Sequence, residues 1–127
     1  MQVSQLEIKD EHDTVSPDAT LVDASKKILQ LARGVLVVVD EGEPLGTLSD
    51  SHILTALSKS LDCRKEACKD HMDTNILSVN LTDNVKDILV LMKMKKPTAV
   101  VVVDESQQFI GYFSPNDYRE ALSSLSS

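Results

Sequence analysis

Val37-Val38-Val39-Asp40-Glu41 returns 64 residues later as Val101-Val102-Val103-Asp104-Glu105. Working outward at the same offset, Val15 meets Val79 and Asp23 meets Asp87. Seven of the 27 positions from 15 to 41 are then identical without a gap. One residue is inserted in the second copy, near Gln107. Beyond it, at an offset of 65, Gly46 meets Gly111, Ser49 meets Ser114, and Ala56-Leu57-Ser58 meets Ala121-Leu122-Ser123, five identities in 13 positions. Types agree elsewhere: Leu21 with Val85, Ile28 with Met92, Ile8 with Met72. Such self-similarity in 127 residues indicates two copies of one supersecondary unit of about 60 residues each.

Both copies read as the same series of elements. An extended piece comes first, around 14–16 and 76–80. A helix follows, with Thr20 three residues before Asp23 and Asn84 three before Asp87, pairs that satisfy orphan N–H groups at a helix start. Leu21, Ala24, Ile28, Leu31 and Ala32, then Val85, Ile88, Leu89 and Met92, have the spacing of one buried helical stripe. Gly34 suits the first helix's C-terminal cap, and Pro97 stops the second helix. The runs 35–39 and 99–103 are short and mostly β-branched, which predicts strands buried on both faces. Turns at 40–44 and 104–108 lead to short strands at 45–48 and 109–113, and final helices start at Ser49 and Ser114. The order is β-α-β-β-α, twice, an α+β fold. The first repeat is 1–58 and the second 71–127. The stretch 59–70, polar and helix-friendly, reads as the end of the first repeat's last helix plus a linker.

Composition narrows the function. Hydrophobic residues make up 42% and charged residues 26%, the mix of a chain that buries a core. A net charge of −7 would be repelled by a phosphate backbone, which argues against nucleic-acid binding. No apolar run approaches the roughly 18–20 residues of a membrane span. The first residues lack the basic start and apolar centre of a signal peptide, so a soluble, cytoplasmic chain is expected.

The repeat order resembles a tandem pair of CBS domains, the cystathionine-β-synthase-type regulatory module. In the first copy the resemblance is carried by Val15-Ser16-Pro17-Asp18-Ala19-Thr20-Leu21-Val22-Asp23-Ala24, by Val37-Val38-Val39-Asp40 and by Gly46-Thr47-Leu48-Ser49. In the second it is carried by His71-Met72, Val101-Val102-Val103-Asp104 and Gly111-Tyr112-Phe113-Ser114-Pro115-Asn116-Asp117. It extends from about residue 8 to residue 122. It implies two repeats related by pseudo-two-fold symmetry, with an adenosine-containing ligand in the cleft between them: AMP, ADP, ATP, S-adenosylmethionine or NADH. No resident cofactor is implied. It also implies a homodimer, formed through helices, and an effector protein or domain that reads the ligand state.

The family's ligand motif is a glycine, two apolar residues, Ser or Thr, two variable residues and Asp. The hydroxyl meets the phosphate end and the aspartate takes the ribose diol. Gly111, Ser114 and Asp117 match it in full. Gly46 and Ser49 match in the first copy, but His52 stands where the aspartate belongs. Histidine cannot accept two hydroxyl protons as a carboxylate can. Ser114 at a helix start, with Pro115 at its first position and Asn116 next, also has a purely local reading as a capping pair; the repeat context favours ligand contact. The resemblance adds the first strand of the second repeat, where adenine would meet the backbone of Asn75, Ile76 and Ser78. Thr98 is a polar candidate beside it and Lys96 a candidate for the phosphate end. The lysine-poor surroundings favour few phosphates, AMP over ATP.

Other features read more plainly. Phe109, Tyr112, Phe113 and Tyr118 cluster near the second motif and read first as packing, with adenine stacking as the alternative. Cys63, Cys68 and His71 could supply three zinc ligands but lack a fourth, and read as free thiols and a histidine. His12, His52 and His71 adjoin no plausible nucleophile, and no Walker or dinucleotide-type glycine loop is present, so no enzyme is expected. Two functions stand: a nucleotide-sensing regulatory module, or a ligand-free dimerisation module acting through a protein partner.

Overall fold

The computed structural model describes residues 12–31 and 35–113. They form two compact units that meet in sequence between Thr74 and Asn75. The first holds β1 (His12–Val15), α1 (Leu21–Ile28), β2 (Val35–Asp40), β3 (Glu43–Leu48) and α2 (Asp50–Ser58). The second holds β4 (Ile76–Asn80), α3 (Val85–Lys95), β5 (Ala99–Val103) and β6 (Phe109–Phe113). Each unit has a three-stranded sheet, ordered β1-β2-β3 and β4-β5-β6. The first two strands of each sheet are parallel, so a crossover must join them, and α1 and α3 are those crossovers. The third strand returns antiparallel.

The repeat survives down to single residue pairs. His12 pairs with Val35, and Ile76 with Ala99, 64 positions on. Val38 pairs with Gly46 and Val102 with Gly111; then both ladders slip, to Val39 with Pro44 and Val103 with Phe109. The slip leaves Leu45 and Ile110 as the extra residues of matching bulges, which bend the strand just before its last stretch. The inserted residue falls in the second β-turn, where Gln107 adopts φ 65° and the Asp104 carboxylate accepts the amides of Ser106 at 2.8 Å and Gln108 at 3.0 Å.

The apolar stripes build one core per unit. Leu21, Ala24, Leu36, Val38 and Leu48 are fully buried in the first, with Ile28 and Leu31 packed alongside. Leu77, Val79, Ile88, Met92, Val100 and Val102 form the second, with Leu89 alongside. All five residues of β5 are buried, as the unbroken Val run requires. Thr20 and Asp23 make a reciprocal capping box, each bond 3.2 Å. Asn84 caps differently: its side chain takes the Lys86 amide at 2.9 Å, one residue earlier than Asp87. α1 ends at Ile28, well before Gly34, which lies outside the described residues. α3 ends at Lys95, and its cap residue Lys96 adopts the left-handed conformation, φ 46°, directly before Pro97.

Residues 59–73 strap the first unit. α2 stops at Ser58, and the stretch beyond it carries only the short 3-10 turn Cys68–Asp70, not the helical continuation its composition suggests. The strap's carbonyls finish α1: Glu66 accepts the Leu21 amide at 3.0 Å and Cys63 the Val22 amide at 3.2 Å. The Cys68 and Lys69 amides donate to Ala19 and Pro17. Leu61, Cys63 and Met72 pack against the first core, and Cys68 belongs to it. Tertiary partners outbid local helix propensity here, because backbone groups at the start of α1 need satisfying.

Candidate functional site

In the second unit, Leu77, Val100 and Phe113 lie side by side across the sheet. The start of β4, the start of β5 and the end of β6 therefore share one edge of the unit. Asn75 and Ile76 enter that edge on β4, Lys96 and Thr98 approach it ahead of β5, and β6 ends one residue before Ser114 in sequence.

Three of the candidates are joined by hydrogen bonds. The Asn75 carbonyl accepts both the amide and the hydroxyl of Thr98, each at 2.9 Å. The Asn75 side-chain amide donates to the Lys96 carbonyl at 3.0 Å. The left-handed turn at Lys96 presents that carbonyl, and Pro97, buried, fixes the chain between them. Asn75, Lys96 and Thr98 remain solvent-exposed, as does Ser78 on β4 between buried Leu77 and Val79. The result is an accessible polar rim on an apolar sheet, with a lysine beside it. Ser114, Pro115, Asn116 and Asp117 lie outside the described residues.

The first unit shows its counterpart of the motif. Ser49 is the N-cap of α2. Its amide donates to His52 Nδ1 at 2.9 Å, and its hydroxyl lies 3.2 Å from the same nitrogen and 2.8 Å from the Ser51 hydroxyl. Nδ1 accepts an amide proton, so the ring proton sits on Nε2. His52 thus does the work of the third residue of a capping box.

Gly46 has a separate cause. A Cβ there would stand 2.6 Å from the Asp73 carbonyl oxygen and 3.1 Å from Met72 Sδ. The space is needed because Thr47 and Asp73 exchange backbone hydrogen bonds of 2.9 and 2.8 Å, adding the strap to the edge of β3. Reasoning from sequence missed Lys27, whose ammonium donates to the Thr14 carbonyl on β1 and lies 3.9 Å from Asp13. The signal was there: the matching residue in the second repeat is Leu91.

Among the described residues no group of three or more His, Cys, Asp or Glu is placed to hold a metal ion. Both cysteines are free, and burial, with Asp23 nearby, pushes the Cys68 thiol up from its ordinary range. His71 Nε2 is buried, 3.8 Å from Glu66 Oε2. Of the aromatics, Tyr112 is buried and Phe109 half-buried; Tyr118 lies outside the described residues. No helix among the described residues is long and apolar enough to cross a membrane.

Comparison with solved structures finds the same architecture at low identity. A CBS domain protein from Pyrobaculum aerophilum, complexed with AMP, is 22% identical with TM-score 0.74, covering 99% of this chain and 98% of that one. The CBS domain pair of protein MJ0100, in complex with 5′-methylthioadenosine and S-adenosyl-L-methionine, is 19% identical with TM-score 0.73, covering 98% of each. A CBS domain pair/ACT domain protein from Thermotoga maritima is 21% identical with TM-score 0.72, covering 100% of each. No curated protein matches the chain. The family model for the CBS domain matches twice, at residues 3–59 and 68–124. Two matches that span most of the sequence, on two units whose ladders repeat residue for residue, show that this chain belongs to the CBS domain family and carries a tandem pair.

Proposed function

We propose that the chain is a regulatory nucleotide-sensing module that binds an adenosine-containing ligand through its second repeat. The observation that carries this reading is the Asn75–Lys96–Thr98 rim, at the sheet edge where β6 ends, one residue before Ser114 in sequence. Asn75, Ile76 and Ser78 would meet the adenosine end along β4. Ser114, with Pro115 and Asn116 next to it in sequence, would meet phosphate, and Asp117 would accept the ribose hydroxyls. Lys96 would offset a single phosphate charge, which favours AMP over ATP. Ser49 and His52 are the first repeat's counterpart. AMP and S-adenosyl-L-methionine in the structures above support the ligand class. The chain acts by binding rather than catalysis, and an effector reads its ligand state.

The test is calorimetric titration with AMP, ADP, ATP, S-adenosylmethionine and NADH, alongside Asp117→Ala. Saturable binding of one ligand, weakened about ten- to a hundredfold by the substitution, is expected for loss of roughly 1.5–3 kcal/mol of charged hydrogen bonding. Binding that ignores the substitution would move the site elsewhere.

A second reading, a ligand-free dimerisation module acting through a protein partner, is favoured by one observation. Leu54 and Leu57 on α2, and Val90, Leu91 and Met94 on α3, are exposed. Helix faces of this kind fit a second copy. Sedimentation equilibrium decides: a dimer lost in Val90→Lys/Met94→Lys, with no nucleotide bound by the parent chain, would put this reading first.

A further inference from the structure

The turn between β1 and α1 recurs between β4 and α3. The Ala19 amide donates to the Ser16 carbonyl at 3.1 Å, and the Asp83 amide donates to the Asn80 carbonyl at 3.1 Å. At the offset of 64, Pro17 corresponds to Leu81 and Asp18 to Thr82. In the first repeat the strap fills this turn. The Lys69 amide donates to the Pro17 carbonyl at 3.0 Å, and the Lys69 ammonium donates to Asp18 Oδ1 at 3.0 Å. A piece of polypeptide thus enters with two groups: a backbone amide for the turn's carbonyl and a lysine head for its carboxylate.

In the second repeat the same turn borders a cavity of about 400 Å³, lined by Leu81, Thr82, Asp104, Glu105 and Ser106. Among the described residues no amide donates to the Leu81 carbonyl. Thr82 brings no charge where Asp18 stands, but Asp104 and Glu105 supply carboxylates from the turn between β5 and β6. The Ser106 and Gln108 amides both use Asp104 Oδ1, which leaves Oδ2 for another donor. Glu105 is exposed and forms no ion pair among the described residues. Half-buried Leu81 adds an apolar wall, along which a lysine stem lies while its ammonium reaches the carboxylates.

We infer that this cavity docks a lysine-bearing segment of a protein partner, which enters the second repeat as Lys69 of the strap enters the first. Its backbone amide meets the Leu81 carbonyl, and its ammonium meets Asp104 and Glu105. The occupant is a polypeptide rather than a free amine, because the matching turn is filled through main chain and side chain together. The surface is separate from the Asn75–Lys96–Thr98 rim. β4 begins at Ile76 beside the rim and ends at Asn80 beside the cavity, so the two lie at opposite ends of that strand. A partner held here leaves the rim free, and the inference does not depend on the nucleotide reading.

The experiment follows the backbone amide resonances of the isotope-labelled full chain during titration with three probes. The first is the acetylated, amidated tripeptide of residues 67–69 carrying Cys68→Ser. The second is the same tripeptide with Lys69→Gln added. The third is n-butylamine, a lysine side chain without its main chain. The first tripeptide should give saturable shifts at residues 81–83 and 104–108 at millimolar concentration. Its affinity should fall up to about fivefold on Lys69→Gln in the peptide, and by a similar factor on Asp104→Asn/Glu105→Gln in the chain. Asparagine keeps an acceptor for the Ser106 and Gln108 amides. Glu105→Gln alone leaves those bonds untouched and should weaken the tripeptide in the same direction. No shift at these residues overturns the inference. So does equal affinity for the Lys69→Gln tripeptide, or affinity undiminished in both chain variants. n-Butylamine binding as tightly as the tripeptide also overturns it, since the cavity would then take free amines.

Discussion

The backbone carbonyl of Asn75 holds Thr98 twice, by its amide and by its hydroxyl, both at 2.9 Å. These residues sit 23 positions apart and bring the entries of β4 and β5 together before the ladder begins at Ile76 and Ala99. Thr98→Val keeps the shape and removes the hydroxyl. Because the bond is exposed, about 0.5–1 kcal/mol of stability should be lost. AMP affinity should fall severalfold if the rim positions the ligand strand. Urea denaturation and calorimetry measure the two effects separately.

Gly46 and Asp73 give a sharper case. The obstacle to a side chain at 46 is a carbonyl oxygen 2.6 Å from the would-be Cβ, and backbone cannot swing aside as a side chain can. Gly46→Ala should cost about 1–3 kcal/mol through forced displacement. Amide exchange should show where it acts: the Thr47 and Asp73 amides, which bond each other's carbonyls, should lose protection before the amides of β2 do.

Much of this was legible from residues alone. The Val runs gave strands because a short β-branched segment fits a sheet interior and little else. The repeat then transferred the three strands and the crossover helix from one copy to the other, including the insertion near Gln107, which the second turn absorbs. The strap was not legible. Residues 59–70 have helical composition, but their carbonyls are claimed by Leu21 and Val22, and no local pattern announces a partner some 40 positions away. The spacing of Ser49 and His52 was visible, and only the structure shows Nδ1 turned back onto the Ser49 amide. Lys27 carries no local pattern that sets it apart, and only its bond to the Thr14 carbonyl ties it to β1.

The capping box at the head of α1 predicts a further cost. Thr20 Oγ1 accepts the Asp23 amide, and Asp23 returns a bond to the Thr20 amide. Thr20→Ala should lower stability by about 1 kcal/mol, with the Leu21 and Val22 amides still satisfied by the strap. Chemical denaturation measures the loss. An effect below a few tenths of a kcal/mol would mean the strap alone holds the helix start.

Cys68 predicts a pH dependence. Burial is the main cause that raises its thiol above the ordinary value of 9.0, Asp23 adds to it, and a backbone hydrogen bond partly opposes it. A raised folded value means that the folded chain holds the proton longer than the unfolded one. The stabilisation is present in full below about pH 9 and is lost as pH rises through the folded value. Stability in urea should therefore fall above pH 9, and Cys68→Ala should flatten that fall despite its own packing cost. In native protein at pH 8, Cys68 should resist alkylation by iodoacetamide and react once the chain is unfolded.

The most direct measurement of the central claim is a titration of isotope-labelled chain with AMP, followed through backbone amide resonances. Saturable shifts should concentrate at Asn75, Ile76, Ser78 and Thr98 and at residues 114–117, leaving Ser49 and His52 in place. Saturable shifts centred on Ser49 and His52, or none anywhere at millimolar AMP, would contradict it.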